Sequence, residues 1–179
     1  MYRMRIYNIA ILTCVVLLIG GCGENARPLY EGNIRISFDV PVGEINPLLR
    51  GTFSVPGIPT FYNQNNSING ITEMDVKSIT AGRGVLRARF QDINLGFLED
   101  ISVQISSRSQ PNDAREIFFL NDFRLNEGFS TELFAQPREI KDLFNQDGLI
   151  DIQVILEYRN LVAVPFAAEI DFTYAVYTE

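Results

Sequence analysis

The 179-residue chain contains no histidine. That removes the usual general base, the Ser-His-Asp and Cys-His nucleophile arrangements, and the standard zinc and haem ligand sets. Tryptophan is also absent, so the commonest sugar-stacking platform is missing and the 13 Phe and 7 Tyr would have to serve instead. Cationic residues are scarce: 15 Lys and Arg face 22 Asp and Glu, for a formal charge of −7. A net acidic chain lacks the basic footprint of a nucleic-acid binder and is not drawn to anionic lipid head groups by its own charge. Cysteine occurs twice, as Cys14 and Cys22. The composition calls for no cofactor and no metal.

The N-terminus is patterned differently from the rest. Met1 to Arg5 carries Arg3 and Arg5 and no acid; Ile6 to Ile19 is almost wholly apolar; Gly20, Gly21 and Cys22 follow. A basic n-region, a short apolar h-region and a small-residue cleavage site make a secretory signal peptide. The apolar run is shorter than the ~20 residues a membrane-spanning helix needs. Leu18-Ile19-Gly20-Gly21-Cys22 resembles the lipobox of bacterial lipoproteins. The resemblance implies cleavage before Cys22, a diacylglyceryl group on its thiol and, often, acylation of the new amino terminus. Residue 23 is Gly rather than Asp, which in enteric-type bacteria favours the outer over the inner membrane. Loss of residues 1–21, with their two arginines, leaves 158 residues and shifts the charge from −7 to −9. Cys22 is then the one remaining thiol, so no internal disulfide is expected and the fold must rest on its own core. Residues 22–33 read as a lipidated cysteine and polar tether, and 34–179 as one domain.

That domain alternates with period two. Ile34, Ile36, Phe38 and Val40 share a face, with Arg35, Ser37 and Asp39 on the other. The same holds for Leu86–Phe90, Ile101–Ile105, Ile150–Tyr158 and Ile170–Val176, with a short apolar run at Ile117–Leu120. Weaker strands are expected at Thr52–Val55, Val76–Thr80 and Gly128–Leu133. One core face and one wet face are the mark of antiparallel sheets. The expectation is an all-β, antiparallel, immunoglobulin-like sandwich of about eight or nine strands. One short helix is expected at Pro137–Phe144, where Ile140, Leu143 and Phe144 line one side. Pro56–Gly70 and Ser106–Arg115 read as loops. From Met74 onward the pattern resembles a group of uncharacterised β-sandwich lipoproteins of Gram-negative bacteria. The carrying motif is Phe97-Leu98-Glu99-Asp100-Ile101-Ser102-Val103-Gln104-Ile105-Ser106. It is a packing pattern and implies no functional residue.

Few residue groups suggest chemistry. Glu99-Asp100, and Glu169 with Asp171, offer paired carboxylates of the kind glycoside hydrolysis uses, but such pairs also occur on any solvated strand. Asn145, Asp147 and Asp151 around Gly148 lack the spacing and the bridging Glu of a calcium loop. Arg83, Arg87 and Arg89 form a basic stripe, with Arg108 and Arg115 as candidate extensions, suited either to an acidic glycan, phosphate or partner or to cross-strand pairing with acids. Phe61, Tyr62 and Asn63, in the Asn-rich segment, place rings beside amides and suit sugar or protein contacts. The functional expectation is a lipid-anchored, non-enzymatic cell-envelope protein with a binding, adhesive or assembly role, held to the membrane by its N-terminal lipid, with an envelope protein or glycan as partner and no nucleic acid. Two alternatives stand beside it: a periplasmic carrier or chaperone for an apolar ligand, and a His-free carbohydrate-active enzyme using paired carboxylates.

Overall fold

A computed structural model describes residues 27–41, 50–89, 93–144, 148–160 and 165–178. The leader, Cys22, Asn145 and Asp147 lie outside the described residues. The period-two segments become eight strands: β1 (Tyr30–Val40), β2 (Arg50–Pro59), β3 (Val76–Arg89), β4 (Leu98–Ser107), β5 (Gln110–Asn121), β6 (Ser130–Ala135), β7 (Leu149–Tyr158) and β8 (Phe166–Thr178). Two short helices, α1 (Tyr62–Ile68) and α2 (Lys141–Phe144), lie in the β2–β3 and β6–β7 links. Strand β1 starts at Tyr30, so residues 30–33 belong to the sheet and the stretch between Cys22 and the domain is shorter than the sequence suggests.

The strands are ordered β1-β8-β3-β6-β5-β4-β7-β2, with every neighbouring pair antiparallel. Two four-stranded halves, β1-β8-β3-β6 and β5-β4-β7-β2, meet through the pairs Phe118–Ala135 and Phe119–Phe134. The antiparallel sandwich is therefore as expected, and its order is the double Greek key of a jelly roll. Opposite the β5–β6 corner, the rings of Phe38 on β1 and Phe53 on β2 meet at 5.0 Å and cover the open side.

Inward positions fill the space between the halves. Ile34, Ile36 and Val40 on β1, Ile170, Phe172 and Val176 on β8, Val103 and Ile105 on β4, and Ile152 and Val154 on β7 are all buried. Each such side chain contributes on the order of 1.5–3 kcal/mol of transfer free energy. A ring pair spans the two sheets, Phe118 with Phe172 at 5.5 Å, and Phe97, in the turn just before β4, meets Phe166 of β8 at 5.5 Å. Gly84 makes room for the first pair, since a Cβ there would stand 2.8 Å from the Phe118 ring.

Four expectations need correction. Val76–Thr80 and residues 86–89 of the expected Leu86–Phe90 strand are not two strands but parts of β3, which runs through a bulge between Ala81 and Gly84; Phe90 lies outside the described residues. Pro56–Gly70 is not a single loop: its start completes β2 and its middle forms α1. Helix α2 is one turn only, because the chain before it runs beside β3, with Glu139 bridging to Thr80 and the Ile140 N–H donating to the Ile79 carbonyl at 2.9 Å. Likewise Ser106–Arg115 is mostly strand, with its turn confined to Arg108 and Ser109.

The antiparallel order sorts the connections between two ends. The start of β1, the end of β8, both helices and the β4–β5 turn share one end, here the helical end. The ends of β1, β3, β5 and β7 and the starts of β2, β4, β6 and β8 share the opposite end.

Candidate functional site

The outer face of β5-β4-β7-β2 carries a groove of about 420 Å³. Its floor is built from alternate residues that face away from the core: Ser102 and Gln104 on β4, Ile155 and Glu157 on β7. Arg50 on β2 and Glu116, Phe119 and Gln136 complete the walls. A bulge makes this wall possible. Val103 pairs with Phe118 while the next residue, Gln104, pairs with Glu116, so β5 carries one extra residue. Ile117 and Phe118 both turn inward and are fully buried, and the extra residue puts Glu116 and Phe119, three apart, on the same outer face. The Phe119 ring is half-buried and steadied by Phe134 at 5.8 Å. A second depression of about 200 Å³ continues along β4 and β7 toward the helical end and shares Gln104 with the first.

The groove alternates donors and acceptors. Ser102 Oγ donates to Glu116 at 2.6 Å, and Gln136 Nε2 donates to the other Glu116 oxygen at 3.0 Å. Arg50 pairs with Glu157 at 2.6 Å, and Asp100 accepts the Asp122 N–H at 2.9 Å. Each of the three carboxylates in the groove thus already serves as an acceptor for a neighbour. A carboxylate has about four lone-pair sites, so each can accept a further hydrogen bond from a ligand hydroxyl. Among the described residues no group of three or more acids and cysteines has the geometry to hold a metal ion.

Of the residues singled out from the sequence, Asp100 lines the groove, whereas the basic stripe, the Glu169 and Asp171 pair and the Phe61–Asn63 group lie elsewhere. Arg83, Arg87 and Arg89 project from β3 onto the outer face of the other half, β1-β8-β3-β6. Arg83 pairs with Glu132 on β6, and Arg89 stands 3.9 Å from Glu169 on β8. Arg35 on β1 reaches Asp171 at 2.7 Å and Glu169 at 3.8 Å. Burial pushes the Asp171 carboxyl up, but hydrogen bonds from Asn33 and Arg35 and the charges of Arg35 and Arg87 outweigh it and hold it below the usual carboxylate range. The carboxylates Glu169 and Asp171 therefore sit inside a cross-strand ionic ladder with the basic stripe. Beside them Arg87 lines a depression of about 170 Å³ with Asn33, Arg83 and Asp171. Arg108 and Arg115 are not part of this face: both lie at the helical end, Arg108 in the β4–β5 turn and Arg115 against α2.

Phe61, Tyr62 and Asn63 open α1, but they do not converge. Phe61 and Asn63 are exposed, whereas Tyr62 is buried with its ring edge-on to Phe144 at 6.2 Å. Asp151, the one described member of the suggested calcium group, accepts the Gly57 N–H at 2.7 Å. Asp100 apart, the groove residues were not singled out from the sequence because they come from four strands. One signal was present: Ile117-Phe118-Phe119-Leu120 has more consecutive apolar residues than a two-faced strand can bury on one side, which points to a bulge.

No protein-family model matches the chain, and no curated protein matches it. Among solved structures the chain is similar to the family 32 carbohydrate-binding module of C. perfringens NanJ in complex with galactose, at TM-score 0.35 and 9% identity, covering 80% of this chain and 99% of that one. It is also similar to FLHE, at TM-score 0.31 and 12% identity over 83% and 98% of the two chains. A third is the Kashmir bee virus empty particle, at 0.29 and 6% over 86% and 95%. All three scores fall below 0.5, so the function of this chain is read from its own residues.

Proposed function

We propose that the chain is a lipid-anchored protein of the bacterial cell envelope, held through Cys22, that binds a glycan without turning it over. The observation that carries the binding role is the outer groove of β5-β4-β7-β2, where Arg50, Gln104 and Gln136 as donors and Asp100, Glu116 and Glu157 as acceptors surround the half-buried Phe119 ring. Polyhydroxylated ligands match such a lining: hydroxyls take both roles, and one ring covers an apolar sugar face. The engagement of each carboxylate by a neighbour supports binding over hydrolysis. A carrier for an apolar ligand would need room between the sheets, where the Phe118–Phe172 and Phe97–Phe166 pairs are packed. The lipobox-like Leu18–Cys22 behind Arg3 and Arg5 supports the anchor, and the outer membrane is its favoured site.

Two measurements test the two halves. A Cys22→Ala variant is expected to move from the membrane to the soluble fraction; retention in the membrane overturns the anchor. Screening the full chain against immobilised envelope glycans is expected to give hits that Phe119→Ala weakens. Hits insensitive to that change, or a panel without hits, overturn the groove.

A further inference from the structure

Beside the buried Tyr62, helix α1 buries an amide and exposes an aliphatic side chain. In a surface helix the apolar residues face the core and the amides face water. Here Asn66 is buried, and Ile68 is 73% exposed. The inward side is fixed by polar bonds. Tyr30 donates to Asn66 Oδ1 at 2.5 Å, Asn65 donates to the Tyr174 hydroxyl at 3.2 Å, and that hydroxyl donates to the Thr60 carbonyl at 2.9 Å. The residue before the helix, Phe61, holds a left-handed backbone (φ 55°) that L-residues rarely adopt, and its ring is exposed. Just after the helix, Met74 is 93% exposed in the turn Glu73–Asp75. Leu29, also exposed, binds the end of β8 through its N–H to the Val176 carbonyl at 2.7 Å, next to the Tyr30 that holds Asn66.

Four of the seven exposed large apolar side chains among the described residues thus belong to one end of the sandwich: Leu29, Phe61, Ile68 and Met74. It is the end at which the chain enters from Cys22. Leu29 lies seven chain steps after Cys22, with six residues between them, a reach of at most about 25 Å. The opposite end is a further strand length away, on the order of 35 Å for an 11-residue strand such as β1. A lipid on Cys22 therefore presents the helical end, and not the other, to the bilayer.

We infer that the helical end docks on the membrane surface, with Leu29, Phe61, Ile68 and Met74 entering the head-group boundary. The inference rests on the reading of Cys22 as the lipid anchor. Interfacial elements of this kind sit roughly 5–10 Å into that boundary. Exposed Arg27 and Lys77 are matched in number by exposed Glu73 and Asp75 at the same end, so the contact is apolar and no preference for anionic lipid is expected. Docking also orients the groove. Arg50, Asp100 and Glu157 line its mouth at the end away from the helices, so the ligand is met on the side facing away from the membrane.

The test uses the full lipidated protein in phosphatidylethanolamine–phosphatidylglycerol vesicles. With Cys14 lost in the leader and Cys22 acylated, an introduced cysteine is the one free thiol. Ile68→Cys, Met74→Cys and, at the opposite end, Phe129→Cys are each labelled with a polarity-sensitive fluorophore and quenched by spin-labelled lipid. Quenching at 68 and 74 is expected to exceed that at 129 by about threefold or more, as boundary depth requires. Equal quenching at all three positions overturns the docking. So does an apolar shift at 68 and 74 without lipid quenching, which would place a protein there instead. Mass spectrometry of Cys22 keeps the two readings apart. An acylated Cys22 with unquenched probes defeats the docking alone. An unmodified Cys22 defeats the anchor, and the docking then stands or falls on whether the same probes, in a background with Cys14 and Cys22 replaced by Ser, are quenched when vesicles are added.

Discussion

The ring of Tyr174 occupies the space in which a side chain at Gly32 would lie. The two are paired across β1 and β8, and a Cβ at position 32 would stand 2.1 Å from the ring carbon Cζ. The vacancy lets the ring pass over the strand to Phe144 on α2, at 4.8 Å, while its hydroxyl reaches Thr60 and Asn65 beside and within α1. One missing methyl group thus permits the tie between both helices and the sheet. Gly32→Ala is expected to destabilise the fold by about 1–3 kcal/mol, the usual cost of overpacking. Urea denaturation checks this, and an unchanged midpoint would mean that the ring has another place to go.

Acid should loosen α2 selectively. Arg115 grips Asp142 with two hydrogen bonds of 2.6 Å and also binds Asp113 at 2.7 Å and the Glu139 carbonyl at 3.0 Å. The Arg115 hydrogen bonds hold the Asp142 carboxyl below its ordinary value, against the opposing effect of burial. A carboxyl depressed in the folded state stabilises it fully above the unfolded pKa, near 3.9, and loses that contribution as pH falls through the folded value. The wild type should therefore lose more Tm than Asp142→Asn between pH 6 and the acid limit. Because Asp142 is half-exposed, screening keeps the difference small. Parallel melting curves would show that the pair contributes nothing.

The Tyr158 hydroxyl is a group the fold would do without. It is buried, it has no hydrogen-bond partner among the described residues, and burial raises its pKa above the ordinary phenol range. Its ring stacks on Phe97 at 6.3 Å, and phenylalanine would preserve that contact. Tyr158→Phe is expected to be neutral or to stabilise by up to about 1 kcal/mol, since an unmade buried hydrogen bond is removed. Chemical denaturation would settle it, and a clear loss of stability would reveal a partner for the hydroxyl.

The strands were legible because burial on one face leaves period-two alternation, as in Ile34-Arg35-Ile36-Ser37-Phe38. What escaped was what breaks the alternation. Ala81-Gly82-Arg83-Gly84 reads as an interruption, yet the β3 ladder passes through it with one extra residue. Helix α1 carries no apolar 3.6-residue period, since Asn66 takes an inward place that Leu or Ile would normally hold. The cross-strand pairing of the arginine stripe was foreseen in kind, but its partners Glu132, Glu169 and Asp171 follow from register. The groove was illegible for two reasons: its residues come from separate strands, and only the β5 bulge places Glu116 beside Phe119.

The two outer faces of the sandwich make opposite predictions for ligand binding. On β1-β8-β3-β6 the cation Arg83 is paired with Glu132, so truncating it should cost little in either stability or binding. On β5-β4-β7-β2 the Phe119 ring is half-exposed at the groove wall, available to a sugar face. Phe119→Ala should weaken glycan binding about tenfold, equivalent to roughly 1.4 kcal/mol and in the range of a single aromatic contact. Glu116→Gln should weaken it as well: the amide keeps a single acceptor oxygen where the carboxylate offers two, and both are already used by Ser102 and Gln136. Arg83→Ala should leave the affinity unchanged. Titration of the three variants with one glycan distinguishes the faces. An affinity lost with Arg83 and kept without Phe119 would move the binding site to the basic stripe.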